Sequence, residues 1–257
     1  VTAPEAPAAL GDLTDDGFLG GRLRVWQPRH GYRAATDPVF LAAAVTARPG
    51  QAVLELGCGA GVASLCLGAR VGGLALTGLE LQPVYADLAR LNAARNGIAL
   101  TVIEGDVEAM PATLRSRQFD HVMMNPPWYP AGGGTAAADP GRETGLREVL
   151  PLARWLDAGL RRLRPDGWLW VIQEAARLPD LLAGLDDRAG SATLLPIAPR
   201  AGRPAGRVIL RARKGGRGAF AMAAPFVVHD GAAHGQDGDD HRPEAEAILR
   251  KGAPLHF

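Results

Sequence analysis

An open, doubly wound α/β domain, with a seven-stranded, mostly parallel sheet and a short N-terminal extension, is the fold this sequence predicts. Three observations predict it. Short apolar runs alternate with segments of helical period between residues 52 and 212, the order that builds a parallel sheet through helical crossovers. The first run, Ala52 to Leu56, stops at glycines, as a buried parallel strand does. It then enters a glycine-rich turn that opens a helix.

Taken in order, residues 1–15 read as a tail, 16–50 as an extension and 51–257 as the main domain. Gly11 to Gly21 is polar and glycine-rich, and Arg22 to Gln27 is a short strand candidate. Asp37 and Pro38 open a helix, because proline at the first helical position loses no hydrogen bond. Phe40, Leu41, Ala44 and Val45 form its apolar stripe, and Pro49-Gly50 ends it. Val62 to Arg70 is the next helix, and Leu74 to Leu79 the second buried strand. Pro83 to Asn96 is a helix closed by Gly97 as a left-handed cap. Leu100 to Ile103 is a strand, Glu108 to Arg115 a short helix and Phe119 to Met124 a strand. A long helix is expected over Gly145 to Arg164, then the Pro165-Asp166-Gly167 turn and a strand over Trp168 to Gln173. Leu178 to Leu185 (helix), Ala192 to Ile197, Arg207 to Ala212 and Pro225 to His229 (strands) and a helix near Glu244 to Lys251 complete the pattern.

Composition excludes several classes. No run of about 18 or more uncharged apolar residues occurs, so no bilayer span is expected. The first residues lack the basic start and apolar block of a secretory signal. Cys58 and Cys66 are too few for a disulfide framework, and no metal-ligand spacing appears, so a cytoplasmic enzyme without metal is expected. A formal net charge of +1 advertises no global basic field.

The chemistry-bearing residues lie at the carboxyl ends of the strands, where a doubly wound sheet places its ligand crevice. Glu55-Leu56-Gly57-Cys58-Gly59-Ala60-Gly61 follows the first strand. Its glycines let the backbone turn sharply and approach a ligand. The spacing differs from the dinucleotide fingerprint G-x-G-x-x-G. Glu80, followed by Leu81, ends the second strand, where a carboxylate can accept from both hydroxyls of a ribose, or simply face solvent. Asp106, followed by Val107, ends the third, where it can take an adenine amino group or cap the next helix. Together these residues resemble the Rossmann-like class I methyltransferases. The resemblance implies S-adenosylmethionine as cofactor, with its methionine part at Glu55, Gly57, Cys58, Gly59 and Gly61, its ribose at Glu80 and its adenine at Asp106.

Asn125-Pro126-Pro127-Trp128 follows the fourth strand directly. Two prolines cannot continue a ladder, so the chain leaves the sheet in a rigid turn. An exocyclic aromatic amine is a poor nucleophile because its lone pair is delocalised. If Asn125 Oδ1 and the Pro126 carbonyl each accept one N–H, the nitrogen is drawn toward tetrahedral geometry and its lone pair is released. Charge then develops on nitrogen, where the two oxygen dipoles stabilise it. Trp128 can stack on an extruded base, a contact worth about 1–3 kcal/mol. The motif resembles that of amino-methyltransferases acting on adenine N6, cytosine N4, guanine N2 or a protein glutamine amide, most of which carry Tyr or Phe in place of Trp128.

The opening segment, Phe18-Leu19-Gly20-Gly21-Arg22, Gln27-Pro28 and Gly31-Tyr32-Arg33-Ala34-Ala35-Thr36-Asp37, narrows the resemblance. With the closing Pro243 to Arg250 helix, it is similar to the bacterial tRNA adenine-N6 methyltransferases that modify the adenosine beside the anticodon of a valine tRNA. That resemblance implies a tRNA anticodon loop as partner. It also implies Arg33, Thr36 and Asp37 as contacts to the methionine end, against plain roles in helix capping and a surface ion pair. Arg200, Arg203, Arg207, Arg211, Arg213, Lys214 and Arg217 could form a phosphate footprint or an ordinary solvated face. A glutamine-amide methyltransferase shares the Asn-Pro-Pro-aromatic turn but usually carries an N-terminal helical domain, for which the residues before Asp37 are too few. A nicotinamide-dependent oxidoreductase gives no reason for Asn125 to Trp128; a non-catalytic cofactor- or RNA-binding module should keep its function in Asn125→Ala, whereas an enzyme should lose turnover and retain cofactor affinity.

Overall fold

A computed structural model describes residues 10–127, 150–231 and 240–257. The chain opens on an antiparallel hairpin, β1 (Leu13–Phe18) and β2 (Leu23–Pro28). Then follow α1 (Asp37–Ala44), β3 (Ala52–Leu56), α2 (Val62–Arg70), β4 (Ala75–Glu80), α3 (Pro83–Arg95), β5 (Leu100–Glu104), α4 (Ala112–Arg115) and β6 (Phe119–Met124). After α5 (Leu152–Arg162) come β7 (Leu163–Glu174), α6 (Leu178–Ala183), β8 (Ala189–Arg200) and β9 (Arg207–Lys214). The short strands β10 (Ala221–Met222) and β11 (Phe226–His229) and the helix α7 (Pro243–Lys251) end the described chain.

β3 to β7 are parallel, in the order β5-β4-β3-β6-β7; β9 pairs antiparallel with β7, and β8 pairs antiparallel with β9 and so runs in the direction of β3 to β7. β10 and β11 both add in parallel to β8, giving nine strands among the described residues rather than the predicted seven. The extra pair is one edge strand interrupted at Pro225, which has no N–H for a ladder. Strand order reverses between β3 and β6, so a crevice opens at their carboxyl ends.

Alternate strand residues feed two apolar clusters, one on each face. Val53, Met123, Trp170 and Ile172 join the cluster with α1, α2 and α3. Leu54, Val122, Met124, Leu169 and Val171 join the one with α5 and α6. Burial on both faces is why these strands read as apolar runs. α1 is buried from Pro38 to Ala44, not along one stripe, because the C-terminal chain covers it and Leu255 N–H donates to the Ala43 carbonyl at 2.8 Å. It stops at Ala44, short of Pro49.

Other boundaries moved for local reasons. Glu108 N–H is taken by Asp106 Oδ1 at 2.8 Å and Pro111 precedes the first turn of α4, so that helix spans only Ala112–Arg115. The expected Pro165-Asp166-Gly167 turn is absorbed into β7 as an irregularity, with Asp166 at φ 64° and a register shift against β6. Of the long helix, Leu152–Arg162 is observed, and its expected start at Gly145 lies outside the described residues.

The polar Gly11 to Gly21 stretch supplies β1, an unpredicted strand whose aspartates meet arginines from elsewhere. Arg24 and Arg95 pair with Asp15, and Arg33 pairs with Asp16. The hairpin is anchored through two asparagines, Asn92 on α3 and Asn96 at its C-cap. Asn92 Oδ1 accepts from Trp26 N–H at 2.8 Å, and its Nδ2 donates to the Trp26 and Ala60 carbonyls at 3.0 Å. One turn on, Asn96 makes the same pair of bonds to Arg24. The two amides thus act as a partner for the β2 edge and tie it to the glycine-rich turn. Asn92 is fully buried, so Asn92→Ala leaves a desolvated N–H and two carbonyls behind. A loss of about 1–3 kcal/mol is expected for an orphaned group of this kind, read as a lower midpoint in chemical denaturation; an unchanged midpoint contradicts the anchor.

Candidate functional site

The turn after β3 is shaped by its contacts. Gly57 and Cys58 N–H groups both donate to the Leu79 carbonyl, at 2.8 and 3.0 Å, which bends the chain across the end of β4. Gly57 has φ 67°, and a Cβ there would lie 2.9 Å from Trp155 Cη2, so both conformation and space require glycine. Glu80 is buried at the end of β4, accepting from Gly59 N–H at 2.8 Å and Gln82 N–H at 3.0 Å. Glu55, also buried, accepts from Ser64 N–H at 2.9 Å and from the Ser64 hydroxyl.

These residues surround a cavity of about 220 Å³. Glu55, Gly57, Cys58 and Gly59 contribute from the turn, and Glu80 and Leu81 from the end of β4. Asp106 and Val107 close it beyond β5, and Asn125 and Pro127 beyond β6. Residues from four separate strand ends are thereby brought to one space.

Burial sets the electrostatics. Loss of solvent pushes the Glu55 carboxyl up to about 8 against the Ser64 bonds, and the Glu80 charge adds to the rise. Glu80 is also raised by burial, held in check by the backbone N–H groups of Gln82, Gly59 and Leu81. Burial pushes the Cys58 thiol well above its ordinary range, so it is an inert packing group. Two desolvated carboxyl groups beside a glycine cradle suit a ligand that carries positive charge and hydroxyl donors. S-adenosylmethionine, with its sulfonium, ammonium and ribose, has that chemistry.

Among the described residues, the cavity lining does not include Arg33, Thr36, Asp37, Gly61 or Pro126. Arg33 donates to Thr14 Oγ1 at 2.7 Å and Asp16 Oδ2 at 2.8 Å, which locks the hairpin. Thr36 offers its carbonyl to the first turn of α1, and Asp37 pairs with Arg207 at 2.9 Å. Gly61 begins α2. The Pro126 carbonyl faces Gln173. Trp128 lies outside the described residues.

Most of the expected arginine footprint is engaged internally. Arg200 is buried against the Asp230 carbonyl and Asp240, and Arg211 packs on Trp168, Trp170 and Phe257. Arg207 pairs with Asp37, Arg213 with Asp166, and Lys214 donates to the Leu163 carbonyl. Those cations hold β8 and β9 to their surroundings.

Sequence reasoning missed Tyr32, Trp155 and Gln173. Tyr32 and Trp155 line the cavity. The Tyr32 hydroxyl accepts from Asn125 Nδ2 at 3.3 Å, and burial raises its phenol so that it stays protonated. Gln173 donates to the Pro126 and Pro127 carbonyls at 3.3 and 3.1 Å. Its available signal was position: like Glu80, it is a polar residue closing an apolar strand at the ligand edge.

Residues 35–185 match the family model described as the methyltransferase small domain. The tRNA1(Val) (adenine(37)-N6)-methyltransferase of Dickeya chrysanthemi is 31% identical over 208 residues, 79% of this chain and 81% of that protein. The release factor glutamine methyltransferase of Geobacter sulfurreducens is 30% identical over 152 residues, 56% of this chain and 51% of that protein. In fold, the crystal structure of Atu636, a predicted O-methyltransferase from Agrobacterium tumefaciens, superimposes with a TM-score of 0.68 at 23% identity, over 86% of this chain and 99% of that one. Cavity, sheet order and relatives agree: the chain belongs to the methyltransferase small domain family and is an S-adenosylmethionine-dependent class I methyltransferase.

Proposed function

We propose that the enzyme methylates N6 of an adenine beside the anticodon of a tRNA. One observation carries the reading: Asn125, at the end of β6, opens onto the same cavity as Glu80 and Asp106. On this assignment Glu80 holds the cofactor ribose, Asp106 its adenine amino group, and Glu55 with the Gly57–Gly59 turn its methionine end. Bound S-adenosylmethionine supplies an electrophilic methyl group on a sulfonium sulfur. Asn125 Oδ1 and the Pro126 carbonyl accept the two N–H groups of the acceptor amine and aim its lone pair at that methyl. No strong base is required, because the methylated nitrogen is acidic and sheds its proton to solvent.

The adenine-N6 assignment is supported by the relative from Dickeya chrysanthemi, named for that activity. Arginines lie beside the cavity, with Arg154 paired to Glu108 and Arg161 to Asp157. A second cleft of about 280 Å³ shares Val107 and Glu108 with it and is lined by Arg115, Arg154, Arg161 and Arg162. The glutamine-amide reading keeps one observation in its favour, the Geobacter relative. The two separate on incubation of the enzyme with methyl-labelled cofactor, bulk tRNA and protein extract. Label recovered as N6-methyladenosine is expected, and labelled protein with unlabelled RNA rejects the proposal.

Cofactor binding is expected to depend on pH through Glu55. With its carboxyl raised to about 8 by burial, the free enzyme holds it largely protonated at neutral pH. A cationic ligand favours the ionised form, so binding expels a proton and tightens as pH rises toward 8. The limit is about tenfold per pH unit. Calorimetric titration between pH 6.5 and 8.5 should show that trend, and Glu55→Gln should flatten it.

A further inference from the structure

Two side chains outside the Asn-Pro-Pro turn hold its polar atoms. Gln173 follows the buried Val171 and Ile172 at the end of β7 and is itself fully buried. An amide in that place is costly unless its groups are paired. Its Nε2 donates to the Pro126 and Pro127 carbonyls, and its Oε1 accepts from Glu174 N–H at 2.8 Å. On the other side Tyr32 meets Asn125 Nδ2. Tyr32 is in turn clamped: its N–H donates to the Tyr85 hydroxyl at 2.8 Å, and that hydroxyl donates to the Tyr32 carbonyl at 3.1 Å.

Resting on the amine-acceptor reading above, we infer that Gln173 and Tyr32 are positioning residues for the acceptor nitrogen. Gln173 sets the direction of the Pro126 carbonyl, which has a second lone pair to offer a substrate N–H. Tyr32, by accepting from Nδ2, selects the oxygen end of the Asn125 amide for the substrate. The hairpin-linked Gly31-Tyr32 segment and the β7 end therefore converge on one pair of acceptors from opposite sides.

The test uses Gln173→Met, Gln173→Glu and Tyr32→Phe in the full chain, with kcat, KM for RNA and cofactor affinity measured separately. Gln173→Met and Tyr32→Phe should each lower kcat by about 10- to 100-fold, the scale of a small misplacement at a reacting centre, with cofactor affinity within about threefold of wild type. Gln173→Glu gives a readout that simple packing does not. Protonated, the new carboxyl donates to a proline carbonyl and accepts from Glu174 N–H. Ionised, it turns oxygens against oxygens. Its kcat should therefore fall as pH rises, through a limb absent from the wild-type profile. Wild-type kcat in both Gln173→Met and Tyr32→Phe, or a Gln173→Glu profile parallel to wild type, overturns the inference. Should Gln173→Met fail to fold, Tyr32→Phe and the pH profile still decide it. If wild type labels protein rather than RNA, the amine reading fails instead, and the same variants assayed on that acceptor still test the brace.

Discussion

Asn125→Ala is expected to lower kcat by roughly 10²–10³-fold, the cost of deleting one preorganised dipole at a developing charge, while cofactor affinity changes little. The side chain has two ends with separate duties. Nδ2 is directed to Tyr32, and on the proposed mechanism Oδ1 draws the acceptor N–H out of conjugation. Truncation removes the second duty, so the loss should fall on the chemical step and not on KM for the cofactor. Single-turnover methyl transfer together with calorimetric binding checks this. A variant that binds cofactor poorly but transfers at the wild-type rate once saturated would place Asn125 in the cofactor pocket alone.

Glu80→Ala should weaken cofactor binding by roughly 100-fold or more. Two charge-assisted hydrogen bonds to ribose hydroxyls are worth about 1.5–3 kcal/mol each, and about 1.4 kcal/mol is tenfold in affinity. The change also strands the Gly59 and Gln82 N–H groups that Glu80 now satisfies, loosening the turn that cradles the ligand. Glu80→Gln should be milder, because one amide oxygen still accepts while the NH₂ end opposes a backbone donor. Calorimetric titration of both variants checks the order; wild-type affinity in Glu80→Ala would put the ribose elsewhere.

How much of this was legible follows from where each signal resides. The ends of β3, α2 and β6 fall where the sequence predicts, at Ala52–Leu56, Val62–Arg70 and Phe119–Met124. Strands buried on both faces and glycines at a forced turn write their constraint into adjacent residues. β1 could not be seen that way. Its stability comes from Asp15 and Asp16 meeting arginines, of which Arg95 lies on α3, a relation that exists only after the hairpin has docked. The partner of Arg33 was hidden in the same way: a cation near a ligand edge suggests a ligand contact, and its partner Asp16 belongs to the unpredicted strand. The arginine-rich stretch from Arg200 was equally hard to read, since charge count does not reveal that Arg200, Arg207 and Arg211 are engaged in packing and pairing. Glu80 and Asp106 were legible because strand ends in this topology converge on one crevice. Gln173 occupies an equivalent end and went unread because its partners are backbone carbonyls.

The most direct test replaces a single group on the substrate. An anticodon stem-loop carrying adenine at the target position, and the same RNA carrying purine there, are incubated with enzyme and methyl-labelled cofactor, then digested to nucleosides. The account predicts N6-methyladenosine from the first and no label from the second, which has lost only the exocyclic amine. Equal labelling of the two RNAs would mean that the methyl group goes to a ring or ribose atom, and the role given to Asn125 would fall with it.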